Sequence, residues 1–265
     1  RLGNFIGKGG SRLMLQCDVI KVIEEFAPLD TQMSYDHCGL KTGNTNKELT
    51  GILICLDLSP EIIAEAVGKN CNLIIEHHPS VWSAWTMIDT KYPKVNALID
   101  ATNRGITVYS AHTNIDFAKD GLNDYFAKQI GLNNVKICEE GRIGTLAKET
   151  DLFEYADFIG KTIGEKNVKV ISGDKKTVKK VACINGAGGG DEETLIRFAT
   201  ETDVFVTSEV KYNVARLSKD LGYAIIEVGH FTSEKGFMSL ISGLLKSKIP
   251  GVRVFETECA QNPYE

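Results

Sequence analysis

The chain has 265 residues, 43% hydrophobic and 25% charged, which is the composition of a folded globular chain rather than a disordered one. Its length suits one large domain or two lobes of ordinary size. With 30 basic against 35 acidic side chains, a formal charge of -5 argues against a strong non-specific nucleic-acid binder, and the longest apolar runs, such as Ile52 to Leu58, are too short to cross a bilayer.

No Met precedes Met14, and the Gly- and basic-rich residues 1-13 are expected to lie before the native start. Val19 to Phe26 reads as an amphipathic helix, and the polar residues 31-47 as a loop. Gly51 to Leu58 is a continuous apolar strand. Ser59 then caps a helix that has Pro60 at its first position. Asn72 to Glu76 is a buried strand, Pro93 opens a helix that Gly105 closes, and Ile106 to Ser110 is a strand. A polar loop follows, then a helix from Leu122 to Ile130.

Val135 to Cys138 and Arg142 to Ala147 read as short strands, Asp151 to Ile163 as a helix, and Val168 to Ile171 as extended. The strand Val178 to Ile184 runs into Gly186-Ala187-Gly188-Gly189-Gly190. Helix Asp191 to Thr200, strand Val204 to Thr207, helix Tyr212 to Leu221 and strand Ala224 to Val228 come next. A helix from Thr232 to Leu245 and a strand from Val252 to Phe255 complete the pattern. This alternation predicts an α/β fold with sheets covered on both faces. Blocks 51-116 and 178-234 share a rhythm of strand, helix, strand and polar turn, which hints at two similar lobes.

Seven cysteines, widely spaced and without a C-x-x-C, argue against a disulfide framework or a zinc ribbon. They read as small core residues of a reduced, cytoplasmic protein.

The chemistry concentrates in three turns that follow strands, where open α/β sheets bind ligands. The first holds Glu76-His77-His78-Pro79. Adjacent side chains on a regular strand face opposite ways, so both imidazoles can share a site only if the chain turns there. The second holds His112 and Asp116, the third His230 and Glu234, each pair four apart. Singly, each also reads as an ordinary loop, turn or cap. Jointly they are the ingredients of a dinuclear N/O site, in which the two oxygens of Glu234 could bridge two ions.

Two further stretches remain open. Gly186 to Gly190 is either an anion-binding nest at a helix start or a closely packed turn. Glu209, Lys211 and Tyr212 are candidates for binding or polarising a substrate, or an ordinary solvated helix start.

Residues 36-43 (DHCGLKTG), 74-79 (IIEHHP), 109-116 (YSAHTNID), 142-145 (GRIG), 186-190 (GAGGG), 203-212 (DVFVTSEVKY) and 229-234 (GHFTSE) resemble, in order, the motifs of the Nif-three-like family, whose members are named GTP cyclohydrolase 1 type 2 homologues. The resemblance implies two α/β lobes facing a cleft that holds two divalent ions (zinc, iron, manganese or similar). The first lobe would comprise residues 1-130 plus 230-265, and the second, inserted lobe residues 131-229. It implies His77, His78, Asp116, His230 and Glu234 as metal ligands, with His112 beside them as a water-mediated or second partner. It also implies a ring-shaped homohexamer.

The chain departs from the family pattern at Ser208, where Gly is usual, and at Asn213, where His is usual. The expected function is metal-dependent hydrolysis of a small anionic or nucleotide substrate. The alternative is a non-catalytic metal-binding hexamer that acts as a regulatory or protein-interaction factor. No membrane partner is expected.

Overall fold

A computed structural model describes residues 13–264. The stretch 1–12, read from the sequence as preceding the native start, lies outside the described residues. The chain runs α1 (Gln16–Phe26), β1 (Gly39–Thr42), β2 (Ile52–Cys55), α2 (Pro60–Gly68), β3 (Leu73–Glu76), α3 (Pro93–Asn103), β4 (Thr107–Ser110), α4 (Thr113–Phe117), α5 (Leu122–Gln129) and β5 (Asn133–Cys138). It continues with β6 (Gly141–Asp151), α6 (Leu152–Ile163), β7 (Lys169–Ile171), β8 (Thr177–Ile184), α7 (Glu192–Glu201) and β9 (Val204–Thr207). The last elements are α8 (Tyr212–Asp220), β10 (Ala224–Glu227), α9 (His230–Glu234), α10 (Gly236–Lys248) and β11 (Val254–Glu256).

The strongest strands are runs of mostly aliphatic and aromatic residues buried along their whole length, as parallel strands covered on both faces must be. Their helices start where the sequence supplies an acceptor. Ser59 accepts from the Ile62 amide, Asp151 from Phe153 and Glu154, and Asp191 from Thr194. Gly164, at φ 79°, ends α6 in the left-handed conformation that glycine adopts without strain.

Two sheets result. The first has the order β1-β4-β3-β2-β11 and the second β5-β6-β8-β9-β10-β7. In the first, β2, β3 and β4 are consecutive and parallel, and β1 closes the edge antiparallel to β4. In the second, β8, β9 and β10 are consecutive and parallel, and β7 closes the edge antiparallel to β10. The orders β1-β4-β3-β2 and β7-β10-β9-β8 are the same unit built twice.

Alternate residues of each strand feed opposite cores. Ile52, Ile54 and Ile75 meet Val19 and Ile23 of α1 and Phe237 and Ile241 of α10. Leu53, Ile74 and Val108 meet Ile62 of α2 and Leu98 of α3. In the second sheet Val181, Val204 and Ile226 meet Phe126 of α5 and Ile159 of α6, while Ala182, Phe205 and Ile225 meet Phe198 of α7 and Val214 of α8. Each such large apolar side chain contributes about 1.5–3 kcal/mol on burial. The units are also interlocked. Helix α5, reached from β4 of the first sheet, packs in the core of the second, and α10, reached from β10 of the second, packs in the core of the first.

Four elements differ from the sequence reading, one of them the single helix expected from Thr232 to Leu245, which is split into α9 and α10. Strand β1 lies inside residues 31-47, read as a loop. Gly-Leu-Lys-Thr has no apolar alternation, and the strand exists because the β4 edge offers it backbone partners. Helix α4 occupies the polar loop after β4, and β6 runs on to Asp151. Among the described residues no helix is long and apolar enough to cross a membrane.

Candidate metal centre

The ends of the parallel strands β2, β3, β4, β8, β9 and β10 each deliver something to one region. Strand β3 stops at Glu76. The His77 amide then donates to the Cys55 carbonyl (3.1 Å) and the His78 amide to the Leu56 carbonyl (2.9 Å), so the chain bends and the rule of opposite faces lapses. The two rings lie with centroids 5.0 Å apart. Past β4, His112 precedes the short helix α4 and Asp116 lies one turn along it. Past β10, Gly229 turns at φ 76° and α9 begins at His230, which puts Glu234 one turn along. Thr232 was expected to begin a helix. Instead it lies inside α9, and its hydroxyl donates to Glu165 Oε2 (2.6 Å).

These groups converge. Glu234 is nearly fully buried, and its Oε2 lies 2.8 Å from both His78 Nε2 and His230 Nε2. Its Oε1 points the other way, 3.8 Å from His77 Nε2, which is also 3.7 Å from Asp116 Oδ1. Ring centroids separate His77 from His112 by 5.0 Å and His78 from His230 by 5.4 Å. Two groups of donor atoms, on His77, His78 and His112 and on His78, His230 and Glu234, each lie within 4.8 Å of one another, close enough to hold a metal ion. Gly186, at φ 70°, makes the room, because a Cβ there would come within 2.4 Å of Glu234 Oε1.

Every imidazole is held from behind. The Nδ1 of His77 donates to the Ala111 carbonyl (2.9 Å), while those of His78, His112 and His230 face Asp57 (3.2 Å), Asp36 (2.9 Å) and Glu209 (2.9 Å). The four Nε2 atoms are thereby turned inward, which is how partners behind a metal-binding histidine fix its tautomer. Asp36 reaches the site because β1 is antiparallel to β4, so the residues before β1 sit at the end where β4 finishes. The same logic puts Glu165, just before β7, beside α9.

The electrostatics follow from this packing. Burial pulls the His77 imidazole down to about 4, against the opposing pull of Glu234, so the ring is neutral at pH 7. Burial would lower His78 too, but Asp57 and Glu234 outweigh it and lift it to about 10. Burial pushes Asp116 well above the usual carboxylate range, and nearby Glu234 adds to that. Glu234 would be raised by burial, yet the imidazoles of His230, His77 and His78 hold it well below.

A cation fits the residues present. A carbonyl can only accept, so the proton of neutral His77 is on Nδ1 and its Nε2 is a bare lone pair. That atom and Asp116 Oδ1 are buried, face each other and have no hydrogen-bond partner. A bare ring nitrogen and a carboxyl oxygen turned on one another in a buried space are costly unless a proton or a cation lies between them, and a cation would hold Asp116 ionised against the pull of burial. Imidazole and carboxylate donors without thiolate suit zinc, iron or manganese.

Other residues singled out in the sequence lie elsewhere. Lys211 rests over Gly190, and Tyr212 is 86% exposed. Asn213 donates to Glu192 at the start of α7, away from the imidazoles. Ser208 is buried and pairs with the Ser233 hydroxyl (2.6 Å), which donates to the His230 carbonyl (2.8 Å). The Gly-rich stretch is a closely packed turn. A Cβ on Gly188 would strike Ile184, one on Gly189 would strike the Glu209 carbonyl, and Asp191 already caps α7. Asp36 and Asp57 carried no role in the sequence reading. Asp36 lay within a quoted motif, and the position of Asp57 just past a strong strand was the available signal.

Comparison with known proteins agrees with this architecture. The family model Duf34/NIF3 (NGG1p interacting factor 3) matches residues 14–263. A protein of Clostridium perfringens named GTP cyclohydrolase 1 type 2 homolog is 31% identical over 94% of this chain and 98% of its own. NGG1-interacting factor 3 of Saccharomyces cerevisiae is 28% identical over 91% of this chain and 94% of its own. Among solved structures, a Bacillus cereus protein related to NIF3 shares the fold with a TM-score of 0.86 at 21% identity, over 96% of this chain and 100% of that one.

Proposed function

We infer function from a family premise: the chain belongs to the Duf34/NIF3 family. We propose that it holds two divalent ions per chain and is a metal-dependent hydrolase of a small anionic or nucleotide substrate, in the manner the name GTP cyclohydrolase 1 type 2 describes for its relatives. The observation that carries this reading is the buried, partnerless pair of His77 Nε2 and Asp116 Oδ1, beside a Glu234 whose two oxygens face different imidazoles.

His77, His78, Asp116, His230 and Glu234 would hold the ions, and His112, its Nδ1 tied to Asp36, has Nε2 free to join them. Two such ions supply an activated water near neutral pH and positive charge for the bond under attack. The chain's own work is positional. Asp57 and Glu209 keep His78 and His230 aimed inward, so Glu209 serves as a positioning group. Lys211 and Tyr212 gain no role from the geometry. The interaction-factor reading draws on the name of the yeast relative, and on Asn213, which is engaged with Glu192 where a histidine is usual.

The test is elemental analysis of the purified protein, followed by GTP hydrolysis with the native metal restored. Two metals per chain and imidazole-ring opening support the hydrolase. Two metals with no turnover of GTP or of a nucleotide panel favour the interaction factor, and no metal contradicts both. We also propose a ring of six chains, which light scattering would register as six times 29.1 kDa.

A further inference from the structure

The connection from β3 to α3, residues 77–92, has no regular structure, and loops of that length inside a compact fold usually serve function. Its first residues are the buried His77 and His78. Beyond Val81 it turns outward and exposes Trp82 (48%), Trp85, Met87 and Ile88. Exposed tryptophan is not explained by core packing, and Trp82 is not idle. Its ring meets that of His112 edge-on with centroids 5.5 Å apart, and the ring of Tyr35, 57% exposed, lies 6.3 Å from that of Trp82. Besides burial, the charges of Asp36, Glu140 and Asp116 bear on the Tyr35 hydroxyl and raise it, so this aromatic pair lies within the electrostatic reach of the cluster's acidic groups. His112 in turn lies 5.0 Å from His77 and 5.7 Å from His78, ring to ring.

We propose that Trp82 and Tyr35 form the specificity wall of the metal centre, and that its ligand is a flat, unsaturated ring that stacks on Trp82 with one edge directed at the imidazole cluster. This rests on the reading of the cluster as a metal centre and adds the ligand's class. Indole and phenol faces hold a planar π-system by stacking and exclude water from one side of it, whereas a non-planar sugar phosphate gains little from them. Tyr35 belongs to the segment that also carries Asp36, the residue holding His112, so one short stretch sets both a wall and an imidazole.

The experiment uses the chain's two tryptophans, Trp82 and Trp85, as reporters. Guanosine and ribose 5-phosphate are titrated separately into metal-loaded and metal-stripped protein, and fluorescence quenching is followed. The wall predicts saturable quenching by guanosine and none by ribose 5-phosphate. Trp82→Ala, read by calorimetry, should weaken guanosine binding about 5- to 100-fold. Trp82→Phe should restore most of it, and Trp85→Ala should leave affinity unchanged. Metal content, measured on the same samples, should not move in Trp82→Ala. If guanosine fails to bind, or binds Trp82→Ala as tightly as the parent, the wall is overturned. Loss of the metals in the parent would instead overturn the centre on which it stands, and the Trp82 comparison in both metal states separates the two failures.

Discussion

The first unit (β1 to β4) and the second (β7 to β10) share one strand order but divide the work unequally. In the first, every strand end carries chemistry: Asp57 after β2, His77 and His78 after β3, His112 and Asp116 after β4, and Asp36 before β1. In the second, the end of β8 contributes space through Gly186, the end of β9 a support through Glu209, and only the end of β10 delivers His230 and Glu234 inward. The correspondence is clearest in the third strands. Each is followed by a one-turn helix that presents a histidine and a carboxylate four residues later. A repeated backbone therefore fixes where side chains can converge, and the residue types at each strand end decide whether that place becomes a donor, a support or a clearance.

If the halves act as one site, breaking what joins them should have the largest effect. Arg142 of β6 is fully buried and grips Asp124 with two hydrogen bonds of 2.9 and 2.8 Å. It also donates to the Ala118 carbonyl, just past α4 and Asp116. Arg142→Ala strands Asp124 and the Ala118 carbonyl, and should cost about 3–5 kcal/mol in urea unfolding. A cost below 1 kcal/mol would mean that the halves are held by apolar packing alone.

Clearance should matter next. Gly186→Ala places a methyl against Glu234 Oε1 at a positive φ, so it should lower metal affinity at least tenfold while costing only about 1 kcal/mol of stability. Competition with a chelator reads the affinity. Support comes third: Asp36→Asn and Glu209→Gln each loosen one imidazole, for about 10- to 100-fold in metal affinity. Buried Asp36 should lie at the upper end and Glu209, 52% exposed, at the lower, and the reverse order would show that the second unit carries more of the site than its partner.

The smallest effect is a clip between the C-terminal segment and α2. Glu65 accepts from Lys69, Thr257 and the Glu258 amide. Its modest burial would raise its carboxyl, but these partners outweigh that and hold it at about 2. A folded-state value below the unfolded one gives stability that is present above about pH 4.5 and fades as pH falls toward 2. The stability gap between the parent and Glu65→Gln should therefore be constant from pH 8 to 6 and close on acidification, as followed by denaturant midpoints.

Much of this was legible beforehand. The apolar runs at 51-58, 72-76 and 204-207, and the apolar half of 178-184 from Val181 to Ile184, announced the parallel strands, because a strand segment buried on both faces is apolar nearly throughout. The three turns bearing His77-His78, His112-Asp116 and His230-Glu234 announced the cluster. Strand β1 was hidden because an edge strand takes its conformation from a neighbour rather than from its own pattern. Asp36 and Asp57 were hidden because a support is identified by what it touches, and Asp36 touches His112 only through the antiparallel pairing of β1 with β4. Residues 186-190 were open between an anion nest and a closely packed turn, and only the position of Glu234 explains the glycine at 186.

The proposed pair of ions depends most directly on Glu234, whose two oxygens face different imidazoles. Glu234→Gln preserves its shape and would remove the negative charge that the proposed two cations would need between them. Elemental analysis of the parent and this variant, with circular dichroism to verify folding, should give two metals per chain in the parent and at most one in the variant, with unchanged spectra. A folded variant that keeps both metals, or a parent that holds none, would contradict it.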